Sequence, residues 1–449
     1  MEYPGTRFTR PWRRLLLFLV ILAFCGITPP VVLSATGFVY DWHLGIFKST
    51  GALSIDALPS NATAELNGTK ITGRLPLRLN HLAPGTYTVN LSAPGFYTWK
   101  KTFDIKSKKT TYLKDIQLIA LAKSDFITAG SLAGLSLSPS GRYLAYASST
   151  AASQAAWLLD TQTGENKMAL EKIDPAVPLS FAWSPKGDYL AVTLDSLPKN
   201  KIAIIPAFAP ERRFDLANFI ANPIIKTMWA DTSDPELYIG LPQQLLLFSV
   251  LNKESRAMEP NQYLDWFVDK GRLATLNFVS STKDIAITKD ALGFASALQT
   301  LPNGEGDMAA SSSWRFQMVS GDTVLMQNYI EHRRLLADGK KINSLPEGNF
   351  KLSPFNTWLF IWSPWELWGF AGSGDPFLLN RSGEKLNTLA ILDEFNTLAL
   401  VWNNRVSAFF PVYGASATII NHRVTALTAD ANQRLIYFTD EKGLWKLAY

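Results

Sequence analysis

The chain has 449 residues, a formal net charge of +5 and one cysteine, Cys25. A single cysteine excludes an intrachain disulfide and a metal site built from several thiolates. Residues 1–14 contain four arginines and one glutamate, which supply +3 of the net charge, so the rest of the chain lacks the basic surface typical of nucleic-acid-binding proteins.

An apolar segment follows the N-terminal arginines. It runs from Leu15 through Leu22 to Ala35, and these 21 residues would span about 30 Å as a helix, the thickness of a bilayer core. The arginines predict that residues 1–14 are a cytoplasmic tail, that residues 15–35 are a transmembrane anchor in the lipid bilayer, and that the rest is extracytoplasmic. A cleaved signal peptide is the alternative, because Pro29-Pro30 divides the segment and Leu33-Ser34-Ala35 can serve as a cleavage site.

A small β-rich module comes next, after a juxtamembrane linker over residues 36–49. Alternating apolar residues predict strands at Gly51–Ala57 and Thr86–Leu91, and Asn67-Gly68 is a strong hairpin signal. Further short strands follow without any helical pattern. Residues 50–115 are therefore predicted to form a small antiparallel β-sandwich.

The turns of this module resemble those of the PEGA domain. The matching segments are Pro59-Ser60-Asn61-Ala62, Asn67-Gly68, Pro84-Gly85-Thr86-Tyr87 and Ala93-Pro94-Gly95-Phe96. The resemblance extends over residues 50–119 and implies an exported, non-catalytic domain of a prokaryotic envelope protein.

A repeated phrase marks the remainder of the chain. LSPSGRYLAY at residues 137–146 returns as WSPKGDYLAV at residues 183–192, so that Pro139 and Pro185 lie 46 positions apart. Weaker copies bring the total to eight over residues 116–449. A period of this size suits four short strands with their turns, which is one propeller blade. The fold class is therefore all-β, with a β-propeller of seven or eight blades.

Ring closure can be predicted from the last repeat. Only two strands remain after Arg434, and an incomplete blade would leave an unpaired edge. The segment Asp115–Leu121, just before the first repeat, is predicted to supply the missing outer strand.

The Ser-Pro-x-Gly turn before a Leu-Ala strand resembles the propellers of the TolB and WD-repeat type. The resemblance covers roughly residues 116–449 and implies a rigid binding platform, since this fold specifies no chemistry by itself.

Residues suited to catalysis are sparse, and no catalytic, cofactor or metal site is predicted. The four histidines, His43, His81, His332 and His422, are dispersed, and no nucleophile elbow occurs. The segments expected to form inner strands, Leu135–Leu137, Phe181–Trp183 and Leu398–Leu400, are mostly apolar. This composition favours binding over a glycan hydrolase or lyase, which remains the alternative.

One segment is unusually aromatic, with four tryptophans between Trp358 and Phe370. In a strand, Trp358, Phe360 and Trp362 would share one face and pack between blades. Because Pro364 interrupts the strand, Trp365 and Trp368 are candidate partner-binding residues. We therefore expect a membrane-anchored envelope protein that binds an unidentified envelope protein or surface polysaccharide.

Overall fold

The structure is a computed structural model. It describes residues 10–41, 45–194, 201–260, 263–279, 284–291, 294–301, 313–321, 323–330, 333–337, 342–345, 348–353, 355, 358–371 and 375–449. The chain divides into two compact units, Met1–Leu121 with Ala415–Ala417, and Ala122–Gly414 with Thr418–Tyr449.

The first unit begins with helix α1, Arg10–Ala35. Its segment Pro11–Leu33 has a mean hydropathy of 2.6 and is not covered by other residues that the structure describes, so by length and composition it can cross a membrane. Pro29 and Pro30 lie inside the helix and do not end it. Strands β1 (Phe38–Asp41) and β2 (Ile46–Ser49) then form an antiparallel pair.

Seven strands after this pair form two sheets. The first sheet has the order β6 (Leu77–Leu82), β3 (Gly51–Leu58), β9 (Thr110–Gln117), and the second β5 (Thr69–Ile71), β4 (Thr63–Leu66), β7 (Gly85–Ser92), β8 (Trp99–Ile105). Leu53, Ile55, Val89, Leu91 and Trp99 are buried in the core. The β3–β9 pair is parallel, a detail that the sequence did not predict.

The Asn67-Gly68 hairpin is confirmed between β4 and β5, where Leu66 pairs with Thr69. Both turn residues have positive φ, 49° for Asn67 and 81° for Gly68. The Asn67 side chain also accepts a hydrogen bond from the Thr88 amide at 2.8 Å. This turn geometry suits Asn-Gly, because Asn tolerates and Gly freely adopts left-handed backbone.

The second unit consists, in the part of the chain that the structure describes, of eight four-stranded antiparallel sheets. Seven are meanders of consecutive strands. The first four are β11 Leu132–Leu137, β12 Tyr143–Ser149, β13 Gln154–Asp160 and β14 Asn166–Ile173; β15 Leu179–Trp183, β16 Tyr189–Leu194, β17 Lys201–Pro206 and β18 Phe214–Asp215; β19 Lys226–Trp229, β20 Glu236–Gly240, β21 Gln244–Ser249 and β22 Glu254–Pro260; β23 Asp265–Asp269, β24 Arg272–Val279, β25 Asp284–Ala291 and β26 Phe294–Leu301. Short 3-10 helices at Pro210–Arg212 and Leu216–Asn218 flank β18.

The remaining sheets continue the same pattern. They are β27 Trp314–Ser320, β28 Thr323–Asn328, β29 Arg333–Ala337 and β30 Ile342–Leu345; β31 Asn349–Leu352, β32 Trp358–Trp362, β33 Glu366–Ala371 and β34 Phe377–Arg381; β35 Leu386–Ile391, β36 Leu398–Trp402, β37 Val406–Phe410 and β38 Ala415–Ile420. The eighth sheet combines β39 Ala426–Asp430, β40 Leu435–Thr439 and β41 Gly443–Ala448 with the early strand β10, Asp125–Ala129.

The sheets are arranged as blades around an axis. The first strand of one sheet contacts the first strand of the next from β11 through β15, β19 and β23 to β27, and again from β35 through β39 back to β11. Such a ring of inner strands is a β-propeller. We number the blades 1 (β11–β14), 2 (β15–β18), 3 (β19–β22), 4 (β23–β26), 5 (β27–β30), 6 (β31–β34), 7 (β35–β38) and 8 (β39–β41 with β10). Of the two counts that the sequence allowed, the structure has eight.

Blade 8 is shared between the two ends of the propeller, as expected. The strand that closes it is β10, whose Asp125 pairs with Lys446 and whose Ala129 pairs with Gly443. The expectation that Asp115–Leu121 would close the ring was wrong. Those residues belong to the first unit: β9 pairs with β3, and the Leu121 amide donates to the Gly95 carbonyl at 2.7 Å.

The repeated Ser-Pro-x-Gly phrase forms the turn between the first and second strands of blades 1 and 2. The Ser138 amide donates to the Tyr143 carbonyl at 2.8 Å, and the Tyr143 amide donates to the Ser138 hydroxyl at 3.0 Å. Ser184 and Tyr189 repeat both bonds at 2.8 and 3.0 Å. The serine therefore pairs with the strand through both its backbone and its side chain, which accounts for its recurrence.

Candidate functional site

The aromatic segment of the sequence forms β32, a turn and β33 of blade 6. Phe360 and Trp362 are buried against blade 7 in a cluster that Trp358 joins, whereas Leu359 and Ile361 pack against blade 5. The predicted sharing of one face by Trp358, Phe360 and Trp362 is confirmed. These side chains are core, since alternate residues of a strand point to opposite faces.

Trp365 lies in the turn between β32 and β33, and its side chain is 53% exposed. The backbone of the turn is held firmly. The Ser382 amide donates to the Trp365 carbonyl at 2.9 Å, and the Leu386 amide donates to the Pro364 carbonyl at 2.8 Å. The turn thus presents an indole ring to solvent from a fixed backbone.

Trp368 is half-buried at the start of β33 and packs partly against the core between blades 5 and 6. Its indole nitrogen donates to Glu366 Oε2 at 3.0 Å. Sequence reasoning treated the two tryptophans alike. The structure separates them, because Trp365 is a surface residue and Trp368 contributes to packing.

Glu366 and Arg381 form an ion pair beside these tryptophans. Arg381 Nε and Nη2 donate to Glu366 Oε1 at 3.0 and 2.6 Å. The hydrogen bond from Trp368, followed by those from Arg381, holds the pKa of Glu366 below its ordinary value. The carboxylate is therefore ionised at neutral pH and serves as an acceptor. We call Trp365, Glu366, Trp368 and Arg381 the tryptophan turn.

A second ion pair joins two connecting segments: Glu384 lies between β34 and β35, and Arg405 lies between β36 and β37. Arg405 donates to Glu384 at 2.9 Å, and its guanidinium lies 5.7 Å from the ring centre of Trp402. Trp402 itself is only 4% exposed, so the exposed indole next to charged donors and acceptors is Trp365, and such a combination is typical of binding surfaces. The sequence signal for this site was Pro364, which ends β32 before Trp365.

The inner strands of the described blades carry three carboxylates, each engaged with other protein groups. Asp265 pairs with Lys226 at 2.9 Å and accepts the Phe316 amide at 2.7 Å. Asp269 accepts a hydrogen bond from the Gly321 amide, and Asp430 accepts hydrogen bonds from the Asn432 and Gln433 amides. These acids order the backbone of their own and adjacent blades.

One expected inner strand was placed incorrectly. Leu398–Leu400 lies in β36, the second strand of blade 7, where it is fully buried, and the inner strand of that blade is β35. β36 is apolar throughout, whereas β35 carries Asn387 and Thr388, so apolar content did not identify the inner strand. Leu135–Leu137 and Phe181–Trp183 do lie in the inner strands β11 and β15.

Sequence reasoning missed one polar group of the propeller, Lys351, and treated a second, His422, only as one of four dispersed histidines. Lys351 lies on the inner strand β31 between Phe350 and Leu352; its side chain reaches solvent, but desolvation by the surrounding protein atoms lowers the pKa of its ammonium. His422 lies 3.5 Å from Asp440 in blade 8, beside a cavity of about 530 Å³ that Arg423, Lys442 and Trp445 help to line. The signal for Lys351 was a lysine between two apolar residues of a strand.

The other expected positions are distributed as follows. Leu15 and Leu22 are exposed on α1, and Ala35 ends it. His43 and His332 lie outside the described residues. Within the described part of the chain, no three His, Cys, Asp or Glu side chains lie close enough together to hold a metal ion.

Comparison with solved structures finds low similarity, with at most 13% identity and a TM-score of at most 0.41 for each of the following three. The propeller domain of the Trilobed protease from Pyrococcus furiosus is 11% identical, with a TM-score of 0.41, and the match covers 66% of this chain and 99% of that one. An oligogalacturonate lyase from Vibrio parahaemolyticus is 6% identical, with a TM-score of 0.39 and coverage of 72% and 98%. TolB from Acinetobacter baumannii is 13% identical, with a TM-score of 0.29 and coverage of 59% and 64%.

No curated protein matches the sequence. A family match exists for the first unit, where residues 50–118 match the PEGA domain. This range contains all seven strands of the two-sheet module and the Asn67-Gly68 turn of its hairpin. The chain therefore carries a PEGA domain, and a β-propeller follows it.

Proposed function

We propose that this protein is a membrane-anchored envelope protein whose propeller is an extracytoplasmic binding platform. The tryptophan turn of blade 6 would be the contact surface for another protein or a cell-surface polysaccharide. The observation that carries this proposal is the exposure of Trp365 on a turn whose backbone is fixed by hydrogen bonds from Ser382 and Leu386.

The anchor is supported by the surface of α1. Apolar side chains such as Leu15, Phe18 and Leu22 are each about half exposed or more, on a helix that no other part of the protein covers. A contiguous apolar surface of this length is unfavourable in water and is removed by a bilayer. The arginines at residues 7, 10, 13 and 14 support a cytoplasmic N-terminus, because positive charges favour that side.

Rigidity supports a binding role for the turn. A turn whose backbone is already fixed loses little backbone conformational entropy when a partner arrives. Trp365 supplies apolar area, while Glu366 and Arg381 supply a charged acceptor and donors next to it. This mixture is typical of residues that contribute most to the affinity of an interface.

The carboxylates of the inner strands also support binding over cleavage of a glycan. Asp265, Asp269 and Asp430 already accept hydrogen bonds from protein groups. A hydrolase or lyase would need acids that are available to a substrate at the mouth of the channel.

The contact surface can be tested by photo-crosslinking in cells. A photoreactive amino acid at position 365 should trap a partner, whereas the same group at Phe208, an exposed aromatic residue of blade 2, should not. Capture should also require Arg381, so that Arg381→Ala reduces the yield at position 365. Equal yields at positions 365 and 208 would remove the tryptophan turn from consideration.

The anchor needs its own test. Alkaline carbonate should leave the full chain in the membrane pellet, and protease added to spheroplasts should digest the propeller while an N-terminal tag stays protected. Release by carbonate would contradict the anchor. Digestion of the tag alone would reverse the proposed orientation.

A further inference from the structure

A basic cavity lies in the first unit where the chain leaves α1. It has a volume of about 530 Å³ and is lined by Thr36 and Gly37, which directly follow the helix, and by Arg78, Lys108 and Lys109. His81 and Asn80 complete its polar rim. The three cations come from β6 and from the turn between β8 and β9, so the PEGA domain itself brings them together.

The cavity has a fixed relation to the helix end. The Gly37 carbonyl accepts hydrogen bonds from the Thr50 amide at 2.7 Å and the Thr50 hydroxyl at 3.0 Å, and the Lys108 amide donates to the Thr50 carbonyl at 2.8 Å. Gly37 has a φ of +85°, and a Cβ there would lie 3.3 Å from the Thr50 carbonyl oxygen. These contacts hold Lys108 next to the residues that end the helix.

The cations of the cavity are available to a ligand. Arg78, Lys108 and Lys109 are exposed, and none of them forms an ion pair with a carboxylate among the described residues. Arg78 Nε donates to the neutral Asn80 side chain at 3.1 Å, and the Lys108 ammonium lies 4.3 Å from the ring centre of Phe38. Three cations without anions in one cavity favour an anionic ligand.

The net charges of the two parts of the chain that follow α1 have opposite signs. Residues 36–121 contain ten Lys or Arg and five Asp or Glu, a net charge of +5, whereas residues 122–449 contain 29 and 32, a net charge of −3. The positive charge outside the N-terminal tail is therefore concentrated in the unit that follows the helix. Negatively charged lipid surfaces attract such clusters.

An apolar surface adjoins the basic cavity. A second cavity of about 720 Å³ shares Thr50 and His81 with it and includes Val39, Tyr40 and Pro84 in its lining. On the neighbouring strand β2, Ile46 is 52% exposed and Phe47 is 48% exposed. Cations beside apolar side chains match the two parts of a phospholipid, the phosphate and the glycerol with the start of its acyl chains.

We infer that the basic cavity binds the phosphate group of an anionic phospholipid in the membrane that α1 crosses. Arg78, Lys108 and Lys109 contact the phosphate, and the β1–β2 pair lies in the interfacial layer of the same leaflet. This inference rests on the proposed membrane anchor. It adds that the PEGA domain docks on the bilayer through lipid headgroups.

Native mass spectrometry of the full chain in detergent can test this assignment. The probes are dioleoyl phosphatidylglycerol, dioleoyl phosphatidylcholine and inorganic phosphate, each titrated separately. The test variant is R78Q/K108Q/K109Q. The matched control is K70Q/K100Q/K114Q, which removes the same charge from exposed positions of the PEGA domain outside the cavity.

We expect the wild-type chain to bind phosphatidylglycerol more tightly than phosphatidylcholine. The cavity variant should lose about tenfold or more in phosphatidylglycerol affinity, because each removed cation weakens attraction to anionic lipid, while the control should lose much less. Equal losses in the two variants would show a general charge effect and overturn the inference. Binding of inorganic phosphate without phosphatidylglycerol would overturn the lipid assignment.

The two proposals can fail separately. Carbonate extraction reports on the helix, and the lipid titration reports on the cavity. A chain that stays in the membrane pellet while the cavity variant binds lipid normally would keep the anchor and refute the headgroup site.

Discussion

The indole nitrogen of Trp183 donates a hydrogen bond to the backbone carbonyl of Ser136 at 3.2 Å, across the boundary between blades 2 and 1. The bond is repeated one blade later, where Trp229 donates to Ala182 at 2.9 Å. Each pair is 47 residues apart in sequence. The repeat therefore preserves a contact between neighbouring inner strands as well as a turn.

Removing this bond should weaken the propeller measurably. Trp183→Phe keeps an aromatic ring but removes the donor, and we expect it to lower the free energy of unfolding by about 1 kcal/mol. Chemical denaturation followed by circular dichroism measures the change. Trp365→Phe, in an exposed turn, is the control and should leave the midpoint unchanged. An unchanged midpoint for Trp183→Phe would show that the bond contributes nothing.

Two glycines with similar positive φ provide a matched pair of substitutions. Gly187 has a φ of +78°, and a Cβ there would lie 2.9 Å from the Ser140 hydroxyl, whereas Gly164 has a φ of +75° and open space around it. Gly164→Ala should cost about 1 kcal/mol from backbone strain alone. Gly187→Ala should cost about 1–3 kcal/mol more, because it also crowds the preceding blade. Similar melting temperatures for the two variants would contradict this packing.

Closure of the ring predicts the effect of truncation. A chain that starts at Ala122 retains β10 and its pairing with β41, whereas one that starts at Ser131 leaves the outer edge of blade 8 unpaired. We expect the shorter chain to melt at a clearly lower temperature and to aggregate more readily, since free strand edges associate. Differential scanning calorimetry and light scattering measure the two effects. Identical behaviour of both chains would refute a stabilising role for β10.

Asp440 should make blade 8 sensitive to acid. Burial raises the pKa of this carboxyl, but hydrogen bonds from the Trp445 indole and the Lys442 and Gly443 amides, with the charge of His422, outweigh that effect and lower it. A lowered folded-state pKa contributes stability above the ordinary Asp pKa, and this contribution disappears as the pH falls through the folded-state value.

Asp440→Asn tests this dependence because it keeps an oxygen acceptor and removes the charge. The variant should be less stable than wild type at pH 7, by about 1 kcal/mol, and the difference should shrink as the pH is lowered below about 4. Thermal melts between pH 3 and pH 7 provide the measurement. A difference that stays constant over this range would exclude the charge as its cause.

Truncation of two tryptophans of blade 6 should change the stability of the protein by very different amounts. Trp362 is 6% exposed in the core between blades 6 and 7, so Trp362→Ala should cost about 3–5 kcal/mol. Trp365 is 53% exposed, so Trp365→Ala should change stability by less than about 0.5 kcal/mol. Denaturation midpoints of the two variants provide the comparison. A large cost at position 365 would show that the residue is structural rather than available for binding.

The features predicted correctly from the sequence depend on local chemistry. Ser138 and Asn67 form turns through their own side chains, and Gly141 adopts positive φ because it lacks a Cβ, so the turns and the start of the following strands could be predicted. Trp358 and Trp362 were also placed correctly, because alternation along a strand is a local property.

The features that were missed depend on contacts between distant residues. Asp115–Leu121 and Asp125–Ala129 are both strand-like, and the choice between them was decided by the partners β3 and β41. Leu398–Leu400 is more apolar than the inner strand β35, and which of the two faces the axis is decided by contacts between blades. The basic cavity was missed because Gly37, Arg78 and Lys108 are far apart in sequence and meet only after the PEGA domain folds.

The pairing of β10 with β41 also orders events in time. These strands are more than 300 residues apart, so the propeller cannot close until nearly all of it has been synthesised. If α1 inserts in the membrane first, β10 crosses the membrane before β41 and stays unpaired until β41 has followed. Contacts this distant form slowly, because a long loop must be closed before they are gained. Until these strands pair, the propeller is an open arc of blades with two unpaired strand edges, and these edges can associate with other chains.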